Sequence, residues 1–66
     1  MIKLLRLNGS YFVLNCDLIE TVEPTPDTVI TTIHGKKLVV KDTVDEVIDK
    51  VIIFKNKILL ANRIDP

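Results

Sequence analysis

The sequence predicts a small α+β fold: five short antiparallel strands in one five-stranded sheet or partial barrel, followed by one C-terminal amphipathic helix. Three observations predict it. Asn8-Gly9 and His34-Gly35 each lie between β-rich runs and read as hairpin turns. Pro24-Thr25-Pro26-Asp27 breaks the chain between two further runs. After Thr43 the apolar spacing becomes helical, with Val44, Val47, Ile48, Val51 and Ile52 on one face.

Residues 2–7 and 10–14 form the first two predicted strands, joined by Asn8-Gly9. Both turn residues tolerate the positive φ of a two-residue type I′ turn. Asn15-Cys16-Asp17 is a polar break. Residues 18–23 form the third strand, with Leu18, Glu20 and Val22 alternating against Ile19, Thr21 and Glu23. The two prolines then hold Glu23 and Thr25 extended and turn the chain. Residues 28–33 are almost wholly β-branched, which suits a pleated surface. His34-Gly35 closes a second hairpin onto a fifth strand, 36–41.

The helix is predicted over 44–57, ending between Phe54 and Ala61. Thr43-Val44-Asp45-Glu46 has the form of a capping box. Asp45 and Glu46 occupy the first turn and Lys55 and Lys57 lie near the end, as the helix dipole prefers. The core stripe is Val44, Val47, Ile48, Val51, Phe54 and Ile58. Ile53 and Leu60 fall on the opposite side, at ~160–180° from Val44. They are the candidate self-association residues.

The chain has 66 residues, so residues 1–66 are read as one domain without repeat or linker. Domains this short rarely draw more than ~3–5 kcal/mol from one core. With Cys16 the single cysteine and His34 the single histidine, no intrachain disulfide or histidine-rich metal site forms. Self-association is the remaining route to stability, and a homo-oligomer is expected.

Nine basic residues balance nine acidic ones. A nucleic-acid partner is disfavoured, because phosphate binding calls for a basic excess. No uninterrupted apolar run exceeds four residues; Val51–Phe54 and Ile58–Ala61 are among those that reach it. A membrane span needs about 20. The first residues lack the long apolar stretch of a signal peptide. One free cysteine fits a reducing compartment, so a cytoplasmic location is expected.

No motif calls for catalysis or a cofactor. Cys16 and His34 are the single nucleophile–base combination, and they fall on different predicted turns. Asp42, Asp45, Glu46 and Asp49 read as a solvated helix face rather than a cation site. Recognition residues often stand on loops of a rigid scaffold. The candidate partner surface therefore comprises the turn residues Asn8, Asn15, Asp17, Pro26 and Asp27 with the basic strand Lys36, Lys37 and Lys41.

Several segments carry a family likeness. They are Arg6-Leu7-Asn8-Gly9, Asn15-Cys16-Asp17-Leu18-Ile19-Glu20, Thr25-Pro26-Asp27-Thr28-Val29-Ile30-Thr31, Gly35-Lys36-Lys37, and Val39-Val40-Lys41 with Glu46-Val47-Ile48. Through them residues 1–57 resemble the FlbD/SwrD family of small flagellar and swarming motility proteins. The resemblance implies a cytoplasmic, non-enzymatic protein that supports flagellar motor power through the stator units or their assembly. It carries over no residue with a chemical role. His34 stands where the family often has asparagine, and Ile58–Pro66 is more apolar than the family's polar tails. The predicted element order also resembles the carbon storage regulator family of RNA-binding dimers. That likeness implies an alternative function in post-transcriptional control, against which the zero net charge argues.

Overall fold

The computed structural model describes the backbone of residues 1–64 and the side chains of residues 1–61. Strands β1 (Ile2–Leu5), β2 (Tyr11–Leu14), β3 (Ile19–Glu23), β4 (Thr28–Thr32) and β5 (Lys37–Val40) precede helix α1 (Val44–Ile64). A 3-10 turn, Cys16–Leu18, leads into β3, so Leu18 lies outside the strand expected to begin there.

Both hairpins use one device. Gly9 N–H donates to Arg6 C=O at 3.0 Å and Arg6 N–H to Ser10 C=O at 2.8 Å. Gly35 N–H donates to Thr32 C=O and Thr32 N–H to Lys36 C=O, both at 2.8 Å. The glycines take φ of +90° and +81°, and among the described residues no non-glycine residue has positive φ. These are three-residue loops closed by a glycine bulge, not the expected two-residue turns. Asn8 and His34 therefore need no left-handed backbone, and Arg6 and Leu7 fall outside β1.

The strands form two antiparallel sheets, β1-β2 and β3-β4-β5, rather than one five-stranded sheet. The join fails for a local reason. Arg6 and Val40 make one isolated bridge, and Lys41 N–H donates to Leu5 C=O at 2.8 Å. The next group on that edge is Leu5 N–H, which donates to the Asp42 carboxylate at 2.8 Å. A side chain thus replaces the backbone acceptor that would extend the ladder, and the chain turns away into α1.

A register shift between Ile19 and Thr21 marks a bulge in β3. It puts Ile19 and Val22 together on the inner face, so the simple alternation expected for 18–23 is broken. Ile2, Leu4, Cys16, Ile30, Val40 and Val47 are buried, with Phe12, Leu14, Leu38, Val51 and Phe54 packed against them.

The capping box forms: Thr43 N–H donates to Glu46 Oε1 at 2.9 Å and Glu46 N–H to Thr43 Oγ1 at 3.1 Å. The helix runs to Ile64, past its expected end. Its 21 residues span about 31 Å, while a four-residue strand spans about 13 Å. The second half of α1 therefore outruns the sheets. Ile48 and Ile58, expected in the core, are exposed, and Ile52, Ile53, Leu59 and Leu60 are about half exposed.

Candidate protein-interaction surface

β4 separates the candidate residues into two groups, because its ends lie about 17 Å apart. The Thr28 end gathers three loops. Pro26 and Asp27 arrive on the β3–β4 turn, in which the Thr25–Pro26 peptide is cis. Thr28 pairs with Val40, which brings Lys41 alongside. The Arg6–Val40 bridge adds the β1–β2 turn with Leu7 and Asn8. Together Leu7, Pro24, Pro26, Asp27, Lys41 and Asp45 line a shallow concavity of about 470 Å³. It offers an apolar floor with charges of both signs at its edge, which suits a peptide or loop.

The Thr32 end holds the second group. Ile33 N–H donates to Leu18 C=O at 2.8 Å, which ties the Cys16–Leu18 turn to the β4–β5 hairpin. Asn15 and Asp17 lie on one side of this tie and Lys36 on the other. Lys37 stands opposite Thr31 on β5 and is exposed. The eight expected residues do not form one patch.

Several already have structural partners. Asn8 Oδ1 accepts from Ser10 N–H at 3.0 Å and from its hydroxyl at 2.7 Å. Asn15 Oδ1 accepts from Asp17 N–H at 3.1 Å. Asp17 accepts from Lys55 Nζ at 2.6 Å. That hydrogen bond, reinforced by the lysine charge, holds the Asp17 carboxyl below its ordinary 3.8.

The strongest polar knot lies elsewhere. Asp42 is buried, accepts from Leu5 N–H at 2.8 Å, and accepts from Lys50 Nζ at 2.5 Å. Burial pushes its carboxyl up, but the Lys50 hydrogen bond, the Leu5 amide and the Lys50 charge together hold it below 3.8. Lys50 also donates to Lys3 C=O at 2.6 Å. This knot locks α1 onto β1, which is a structural duty.

Cys16 is buried in the core and His34 is exposed on the hairpin turn. Among the described residues no three acidic, cysteine or histidine side chains gather as metal ligands. No helix of the described residues is long and apolar enough to cross a membrane. Sequence reasoning missed Leu7, Pro24 and Asp45. Leu7 reads as a strand residue until the turn is seen to begin at Arg6, and its apolar character beside Asn-Gly was the available signal.

A profile of the FlbD family, described as flagellar and swarming motility proteins, matches residues 1–59. No curated protein and no solved structure matches the chain. The match spans all five strands, both glycine turns, the Asp42 knot and most of α1. The chain belongs to the FlbD family of flagellar and swarming motility proteins.

Proposed function

We propose that this chain is a non-enzymatic, cytoplasmic protein that supports flagellar motor output. It binds a cytoplasmic part of the stator units, or of the route that assembles them, and it acts as a homo-oligomer. The family match over residues 1–59 supports the flagellar role in this reading. The surface chemistry supports it. The concavity at Leu7, Pro26, Asp27 and Lys41 is open and mixed in charge, as peptide recognition asks. Lys36 and Lys37 add an exposed basic edge at the other end of β4. Ile53 lines a groove with Met1, Tyr11 and Phe54, rimmed by Lys3 and Lys57, and is a further candidate contact. Leu60, half exposed beyond it, is another.

The test is a deletion strain of the source organism, with the gene restored as control. Filament number per cell and single-motor torque under load are recorded. Normal filament number with reduced torque is the expected result. Normal torque with altered filament number would overturn the proposal and favour RNA-level control of flagellar genes. Charge reversal at Lys36 and Lys37 is expected to lower motility without unfolding the protein. Unchanged motility in that stably expressed variant removes this edge from the surface.

A further inference from the structure

We propose that α1 pairs in an antiparallel sense with the α1 of a second copy, through a seam of Ile48, Ile52, Lys55 and Leu59. This rests on the reading that the chain works as an oligomer, and it names the face, the partner and the orientation.

The seam follows from spacing. Positions 48, 52, 55 and 59 step by four, three and four, the interval of a helix–helix seam. Ile48, Ile52 and Leu59 are exposed by 46%, 51% and 53%, so they pack on little in their own chain. The opposite stripe, with Ile53 and Leu60 that periodicity offers as the self-association residues, is poorer in apolar side chains. Between Ile53 and Leu60 it carries Asn56 and Lys57.

The seam also continues into the body. Beside Ile48 and Ile52 lies a groove of about 260 Å³, lined also by Val47 and Val51 of α1 and, across it, by Cys16, Ile19 and Val22. An antiparallel copy with its two-fold axis near residues 53–54 sets Ile48 against the partner's Leu59, and Ile52 against the partner's Lys55. The free second half of each helix then lies along the apolar groove of the other body. Lys55 can pass its methylenes over the partner's Ile52 while its ammonium stays on Asp17 of its own chain, at 2.6 Å.

Charge fixes the orientation. Asp45 and Asp49 flank the first half of the seam, and Lys55 sits in its second half. A parallel pair would set Asp45 against Asp45 and Lys55 against Lys55. The antiparallel pair separates both like-charge contacts and opposes the two helix dipoles.

The chain also carries more surface than a compact monomer needs: a 7.5 kDa monomer exposes about 4,250 Å² and this chain 4808 Å².

The experiment reads pure protein, so its outcome is independent of the motility assay. Light scattering after size exclusion is expected to give twice the 7.5 kDa protomer mass. Ile52→Glu is expected to halve that mass, and Ile53→Glu to leave it unchanged, each with helical circular dichroism retained. In a Cys16→Ala background, Ile48→Cys and Leu59→Cys proteins are mixed and oxidised. A disulfide between position 48 of one chain and position 59 of the other is expected. This cross-link decides the orientation even where Ile52→Glu fails to fold. A protomer mass for the native chain overturns the proposal. So does dissociation by Ile53→Glu in place of Ile52→Glu, or homotypic cross-linking at position 48.

Discussion

Asp42 closes the fold, and its two oxygens do separable work. One accepts from Leu5 N–H at 2.8 Å, the other from Lys50 Nζ at 2.5 Å. Its side chain is 6% exposed, against 34% for Lys50. Asp42→Asn keeps an oxygen for the Leu5 amide and removes the charge. A hydrogen bond to a charged group contributes about 1.5–3 kcal/mol. Lys50 is one-third exposed and retains the Lys3 carbonyl, so solvent recovers part of the loss. The expected cost is about 1–2 kcal/mol. Asp42→Ala also strands the Leu5 amide, adding about 1–3 kcal/mol. That total approaches the whole ~3–5 kcal/mol expected of so small a core. Urea unfolding followed by circular dichroism measures both. The order expected is native, then Asn, then Ala, with the Ala chain largely unfolded. Acid supplies an internal control. The folded carboxyl titrates below its ordinary 3.8, so the unfolded chain takes up the proton first as pH falls. The contribution is therefore complete above that ordinary value and is lost as pH falls through the lower folded one. The gap between native protein and Asp42→Asn is expected to close in acid. Equal costs for Asn and Ala, or a gap unchanged in acid, would refute the account of Asp42 as ladder terminator and ion partner.

Three further outcomes follow from local geometry. Thr43→Ala is expected to cost about 1 kcal/mol by urea unfolding, since it removes the cap that the Glu46 amide uses. Gly35→Ala is expected to cost about 1–2 kcal/mol through its φ of +81° alone, because an added Cβ meets nothing within 4 Å. Gly35→Asn is expected to cost less, and an equal cost would point to crowding instead. Lys55→Ala is expected to leave the unfolding midpoint at low micromolar protein concentration, where association adds least, unchanged, because the Lys55–Asp17 pair is solvent-exposed. The same variant is expected to raise the Asp17 carboxyl toward its ordinary value by NMR titration, since the Lys55 hydrogen bond is the main cause of its depression.

What the sequence could show and what it hid divide along a physical line. Short-range signals survived. The Thr43–Glu46 box, the two glycine turns and the helical periodicity all involve residues within four positions of each other. The split of the sheet depends on Asp42 reaching Leu5, 37 residues away, and an aspartate before a helix normally reads as a solvated charge. The bulge in β3 shifts register without a glycine to announce it. The length of α1 was hidden because no glycine or proline follows Phe54 before Pro66. The core stripe was overdrawn at Ile48 and Ile58 because periodicity fixes a face but not where the opposing sheet ends. For the candidate surface, turn chemistry located the loops. Their grouping at two ends of β4 depends on strand pairing that residue types alone do not encode.

The unpartnered half of α1 bears on how stability itself should behave. A helix that served only its own body could end near Phe54, where the sheets stop packing against it. The residues beyond include Ile58, Leu59 and Leu60, each more than 40% exposed. They contribute little to the isolated protomer and lower its solubility. Apolar residues placed so have an energetic role only when a second surface covers them. Covering by a second copy makes folding and association one equilibrium, so the unfolding midpoint depends on protein concentration. The native chain is expected to unfold at higher urea as concentration rises from the low micromolar to the hundred-micromolar range. Ile52→Glu is expected to abolish that dependence while preserving the midpoint the native chain shows at its lowest concentration. A native midpoint independent of concentration would mean that the exposed half of α1 serves a different partner, and the motor component itself would become the first candidate.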